Sequence, residues 1–305
     1  MKIRQAIIIG IVLLIGTQKA FSQLDPLYNQ YLFNQALFNP AYTGVNDAFH
    51  ASANSRRQWI GVDGAPLTNT LNVSSSFMKN KIGAGLLIVS DQFGVNSNTE
   101  IHAMYSYQIE MLNSRSLSFG LQTGYITHQF DFTKLNLEQP DQALINIDGN
   151  LSQTNFGVGM YFQAENYYFG LSIPKILKTE FEDPNTTESR YKNHMYLSAG
   201  LLLDQLLIIQ FKPSILIVAV EGKVELIDFN AQFLLMDALW VGASLRNFST
   251  VGLNGQFQFK SHLRLGYSFE MPFNEITNTA FSTHELMVSI DLAIFKHQAV
   301  ARRYF

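Results

Sequence analysis

Residues 116–125, SLSFGLQTGY, decide the fold. Leu117, Phe119, Leu121 and Tyr125 fall on one side of an extended chain, with Thr123 the lone gap. Ser116, Ser118, Gly120, Gln122 and Gly124 fall on the other. Successive side chains on a strand point to opposite faces, so this stretch has one greasy and one small polar face. The plan recurs in 262–270, where Leu263, Leu265, Tyr267 and Phe269 oppose His262, Arg264, Gly266, Ser268 and Glu270. It recurs again in 239–246, with Leu239, Val241, Ala243 and Leu245 against Trp240, Gly242, Ser244 and Arg246.

Working outward, fourteen such segments can be marked: 48–58, 68–78, 81–91, 98–109, 116–128, 152–163, 167–174, 193–203, 206–218, 223–235, 238–247, 251–259, 261–270 and 284–294. Most match the roughly 9–11 residues that a tilted membrane strand needs. Strands of soluble proteins are nearer about 5–6. Segment 48–58 is polar on both faces, whereas 81–91 and 206–218 are apolar on both.

The connections carry an independent signal. Those after the even segments are tight: Lys79-Asn80, 110–115, 164–166, Asp204-Gln205, Met236-Asp237 and Lys260. Those after the odd segments include the long ones, 59–67, 129–151, 175–192 and 271–283, and also short ones at 219–222 and 248–250. Short turns on one side and long loops on the other build outer-membrane barrels, and an even count places both chain ends on the periplasmic side. A soluble sandwich also alternates, but its polar face is usually rich in Lys, Glu and Thr. Here that face is Gly, Ser, Asn and Gln, and its charges, such as Asp228, Arg246, Arg264 and Asp291, are candidate lumen groups. The expectation for 48–305 is an all-β, closed antiparallel transmembrane β-barrel of about 14 strands.

Composition agrees. Of 305 residues 47% are hydrophobic and only 15% charged, against a usual charged share of about 25%. A net charge of −3 gives no basic field for nucleic acid. Cysteine is absent, which excludes disulfides and thiolate metal sites. Residues 1–22 read as a cleaved secretory signal: Lys2 and Arg4, the apolar run Ala6–Gly16, then Ala20-Phe21-Ser22. Residues 23–47 are an aromatic, amide-rich lead-in with Pro26 and Pro40, expected to be ordered without strands and able to grip a partner or plug the bore, with Tyr31 and Tyr42 as candidate contacts.

No catalytic or cofactor motif appears. The seven histidines form no HExxH or HxH pair, there is no GxSxG or Walker glycine loop, and Gly83-x-Gly85 and Gly157-x-Gly159 lie inside strands. No enzyme and no cofactor are expected. Arg56-Arg57-Gln58-Trp59, followed by Gly64-Ala65-Pro66, is the informative stretch. Two guanidiniums beside an indole make a partner-recognition loop, since Arg and Trp lead interface hot spots. The same residues also suit an interfacial Trp with Arg facing headgroups or lumen carboxylates.

These residues carry a resemblance. Asp25-Pro26, Gln30-Tyr31, Asn39-Pro40-Ala41-Tyr42-x-Gly44, Arg57-Gln58-Trp59, Gly64-Ala65-Pro66-x-Thr68, Gly83-x-Gly85, Asp91-x-x-Gly94, Leu117-Ser118-Phe119-Gly120 and His284-Glu285 together resemble the PorP/SprF family of Bacteroidetes. Asn29 departs from it, standing where a Ser is expected. The resemblance implies an outer-membrane protein of type IX secretion and gliding motility. It implies support for export or surface attachment of a large adhesin with a C-terminal sorting domain. Its implied partners are that adhesin, periplasmic peptidoglycan-linked or lipoprotein secretion components, and outer-membrane lipid. A porin-like diffusion channel or solute transporter is the alternative.

Overall fold

The computed structural model describes residues 28–131, 150–183, 186–206, 209–259, 262–273, 282–295 and 298. The expected signal 1–22, its cleavage site and the start of the lead-in lie outside these residues. So do most of the long connections 129–151 and 271–283.

Each marked segment forms a strand. The first seven are β1 (Phe49–Arg57), β2 (Leu67–Phe77), β3 (Ile82–Phe93), β4 (Asn96–Met111), β5 (Arg115–Phe130), β6 (Asn150–Gln163) and β7 (Tyr167–Ile173). Connection 175–192, expected as a loop, holds a separate hairpin of β8 (Thr179–Asp183) and β9 (Thr186–Tyr191), paired with each other. Then come β10 (His194–Leu201), β11 (Leu203–Leu206), β12 (Ile209–Val220), β13 (Lys223–Leu235) and β14 (Leu239–Arg246). The wall ends with β15 (Thr250–Phe259), β16 (Leu263–Pro272) and β17 (Thr283–Leu292).

Successive wall strands pair antiparallel, with β7 joined to β10 across the β8–β9 hairpin, β10 to β12 and β1 to β17, so the sheet closes on itself. It has fifteen strands by hydrogen bonding, and fourteen once β10 and β11, both paired to β12, are taken as one interrupted stave. The interruption has a local cause. Gly200 pairs with Ser214 and Leu203 with Phe211, so Pro213, which has no N–H for a ladder, stands opposite Leu201 where β10 ends. On its other side the stave continues along β7, with Leu202 N donating to Asn166 O at 2.7 Å. The turn expected at Asp204-Gln205 is therefore strand, and the chain reverses two residues later, between Leu206 and Ile209. Asp91 to Phe93 likewise still belong to β3, and Gly94-Val95 make the turn.

The faces follow the parity of the sequence. On β5, Phe119, Leu121 and Tyr125 are exposed on the outside while Ser118, Gly120 and Gln122 are buried inside. On β16, Leu265 and Tyr267 face out and Arg264 and Ser268 face in. The buried set of the protein is accordingly mostly polar.

What buries it is the lead-in. Residues 28–48 fill the lumen as three 3₁₀ turns, Asn29–Leu32, Gln35–Leu37 and Pro40–Tyr42. Asn34 and Asn39 cap the second and third turns by accepting from Ala36 N and Ala41 N. The two wall segments that read as apolar on both faces find their reason here. Leu87 and Val89 of β3 pack with Met104 and Leu37, and Leu216 and Val218 of β12 pack with Tyr31, Leu32 and Phe38. The chain enters β1 and leaves β17 at the short-turn end, where Phe49 pairs Leu292. Tyr28 lies beside Asp91 and Asn98, at the long-loop end. Residues 28–48 thus run the length of the bore.

Leu121→Arg, on the outer face in mid-strand, is expected to cost about 2–4 kcal/mol in urea unfolding from lipid vesicles, the burden of a cation near the bilayer midplane. Val288→Thr on β17, polar but uncharged, should cost clearly less.

Candidate functional site

The site is the contact between the lead-in and the wall. Its upper clamp is a chain of charges of alternating sign. Arg246 Nη2 lies 2.9 Å from Asp228 Oδ2, and Arg246 Nη1 lies 2.7 Å from Glu270 Oε1. Arg56 Nη1 is 2.5 Å from Glu270 Oε2 and 3.3 Å from Glu285 Oε2. Five strands each supply one member, all on the inward register and all but Arg246 deeply buried. Glu285 then takes the lead-in: Asn29 N donates to Oε2 at 2.7 Å and Gln30 N to Oε1 at 3.2 Å. A carboxylate thereby satisfies backbone donors at the start of the first 3₁₀ turn, where no other helix carbonyl can reach them. Arg246 Nη2 also donates to Asn29 Oδ1 at 3.3 Å.

Tyr31 sits under this clamp. Its hydroxyl accepts from Asn230 Nδ2 at 2.7 Å and bonds the Asp228 carboxylate. The Tyr31 ring meets Phe38 edge-on at 5.8 Å, and Phe38 stacks on wall residue Tyr196 at 5.3 Å. Lower down, Tyr42 meets Tyr161 edge-on at 5.1 Å. A second clamp is Lys212, which lies 4.7 Å over the Trp240 ring and 5.6 Å over Phe33, and reaches Leu32 O at 3.4 Å. Further donors hold the lead-in backbone: Ser172 Oγ bonds Phe38 O at 2.8 Å and Ser106 Oγ bonds Thr43 O at 2.5 Å.

Glycines in the wall make room for it. A Cβ added at Gly120 would come within 2.1 Å of Ala41 N, and one at Gly83 within 2.0 Å of Thr43 O. The small residues that read as a lumen lining are a seat for the lead-in.

The other candidates divide. Arg264 pairs with Asp291 lower in the barrel, where His50 Nδ1 also lies 2.9 Å from Asp291 Oδ1, so the four lumen charges form two groups. Arg56 and Arg57 point to opposite faces by strand parity, Arg57 outward and exposed, so two guanidiniums do not flank the indole. Gln58 opens the loop, its N–H donating to Pro66 O at 2.9 Å. Trp59 has a positive φ of 52° and is 43% exposed. With Val62, Pro66, Phe93 and Val95 it lines an open, largely apolar groove of about 420 Å³, and Gly94 N to Gly64 O at 2.8 Å ties the loop to the β3–β4 turn. Glu270 and Glu285 were not singled out in the sequence, although both stand on the polar register. Among the described residues no three His, Asp or Glu side chains could hold a metal ion.

With this geometry in hand, comparison with known proteins is direct. The model of the family described as "Type IX secretion system membrane protein PorP/SprF" matches residues 20–290. The chain belongs to the PorP/SprF family. It is thereby an outer-membrane barrel of the type IX secretion system. No curated protein matches the PorP/SprF chain. Among solved structures it is similar to the TodX monoaromatic hydrocarbon channel deltaS2 mutant (TM-score 0.51, 8% identity, 88% of this chain and 95% of that one). It is similar also to the CymD monoaromatic hydrocarbon channel (TM-score 0.50, 12% identity, 93% and 96%). A Pseudomonas aeruginosa FadL homologue gives a TM-score of 0.50 at 10% identity over 88% and 95%. At such identities these establish the fold alone.

Breaking the upper clamp of this PorP/SprF barrel should be costly. Arg246→Met leaves Asp228 and part of Glu270 buried without their cation, an expected loss of about 3–5 kcal/mol. Arg57→Ala, one position from Arg56 but outside, should stay within about 0.5 kcal/mol. Urea unfolding of both variants in vesicles checks the contrast.

Proposed function

We propose that this barrel is a non-enzymatic accessory of type IX secretion and gliding that supports export or surface attachment of a large adhesin carrying a C-terminal sorting domain. The observation that carries this reading is the filled lumen. A bore occupied from Tyr28 to Ala48 and clamped by buried charge suits a docking body better than an open pore. The outer contact surface is the long-loop end, with the Trp59 groove as its anchor point, and Arg57 and Gln58 at its base. Periplasmic peptidoglycan-linked or lipoprotein secretion components meet the opposite, short-turn end. A diffusion channel is the competing reading, and the lead-in stands in its way.

Affinity purification of the native complex from envelopes is expected to recover the adhesin and a secretion component; recovery of neither overturns the proposal. Trp59→Ala is expected to weaken adhesin retention on cells about thirty-fold, the loss of a hot spot worth about 2 kcal/mol. Single-channel recording of the full chain should show no steady conductance. A steady solute-sized conductance would return the channel reading to first place.

A further inference from the structure

The lead-in is bound to its own barrel as a ligand is bound to a receptor. Its described residues contribute no strand to the wall and keep only short 3₁₀ turns of their own. Its sequence alternates amides (Asn29, Gln30, Asn34, Gln35, Asn39) with aromatic and aliphatic residues. The wall answers in kind. It offers an edge-on ring at Tyr161 and a stacking ring at Tyr196, hydrogen-bond donors at Ser106 and Ser172, and the Glu285 carboxylate for a turn's first amides. Gly83 and Gly120 let a backbone approach to a distance that any Cβ would forbid.

The chemistry of this contact also bears on whether it can open. Emptying an apolar core exposes surface that water cannot satisfy. Part of this contact is such a core, with Leu87, Leu216 and Trp240 on the wall, but around the first turn of the lead-in the wall carries Arg56, Lys212, Asp228, Arg246, Glu270 and Glu285. Water hydrates such groups as well as the lead-in does, and exchanging a protein hydrogen bond for one to water is close to neutral. The wall itself is tied strand to strand around the whole circle, so its closure does not depend on the occupant.

We propose that the lumen is a receptor for a peptide of alternating amides and aromatics folded in short turns, that residues 28–43 occupy it in the resting protein, and that a partner segment of the same chemistry takes their place. The proposal does not rest on the adhesin role. A lead-in that never yields would leave outer-surface docking untouched.

The chain has no cysteine, so one introduced thiol reports alone. Ala36→Cys places it in the buried cluster of the lead-in, and Ala41→Cys is a second position should the first disturb folding. Each full-length variant is reconstituted in vesicles and treated with a water-soluble maleimide, with and without a synthetic peptide of the sequence YNQYLFNQALFNPAYT. The tether gives the resident segment an effective concentration on the order of millimolar, so the peptide is used at about that level. Labelling is expected to be slow but measurable, and to rise about tenfold with the peptide or with E285Q, which weakens the clamp. A scrambled peptide should leave the rate unchanged. No labelling over hours under any of these conditions would overturn the proposal, as would equal acceleration by the scrambled peptide.

Discussion

In hydrocarbon a peptide group without a partner has no water to turn to, so the wall of this protein must be closed. Every other feature answers to that constraint. Closure fixes the parity of each strand, because a slip by one residue would turn an oily face to the lumen and a charged one to lipid. It also explains a small repair where pairing falters. Beyond Ser74, where β1 stops pairing β2, Gln298 Nε2 donates to Ser75 Oγ and Ser76 O, each at 3.0 Å.

Closure creates a second problem, an enclosed polar surface, and the lead-in resolves it. The inward face is too rich in charge to collapse on itself as a dry core would, so its carboxylates and guanidiniums neutralise one another around the ring. The ring is not self-sufficient: Arg56 and Arg246 face Asp228, Glu270 and Glu285, leaving one more anion than cation. The backbone amides of Asn29 and Gln30 supply the missing positive end at Glu285. Wall and occupant are therefore electrostatically one unit.

Much of this was legible in the sequence because period two is a strong, local signal repeated fourteen times. The strands at 116–128 and 261–270 needed nothing more than alternation. Asp228, Arg246, Arg264 and Asp291 could be set on the inner register, yet which partner each takes depends on the stagger between strands, and that is a property of the closed sheet. The hairpin β8–β9 within 175–192 carries little alternation and was invisible for that reason. The two-sided apolar strands β3 and β12 looked like weak assignments. They were in fact the clearest sign that something greasy lay inside, since an inward Leu87 or Leu216 has no place in a wet bore.

The split between Arg56 and Arg57 shows how far one residue of register reaches. Side by side in sequence, they looked like one basic patch. On a strand they cannot share a face. Arg56 becomes part of a buried lattice, where its removal would take one partner from each of two carboxylates, while Arg57 points to the exterior beside the loop that presents Trp59. The segment thus joins the two surfaces of the protein: an inner one that holds the chain's own peptide and an outer one open to other molecules.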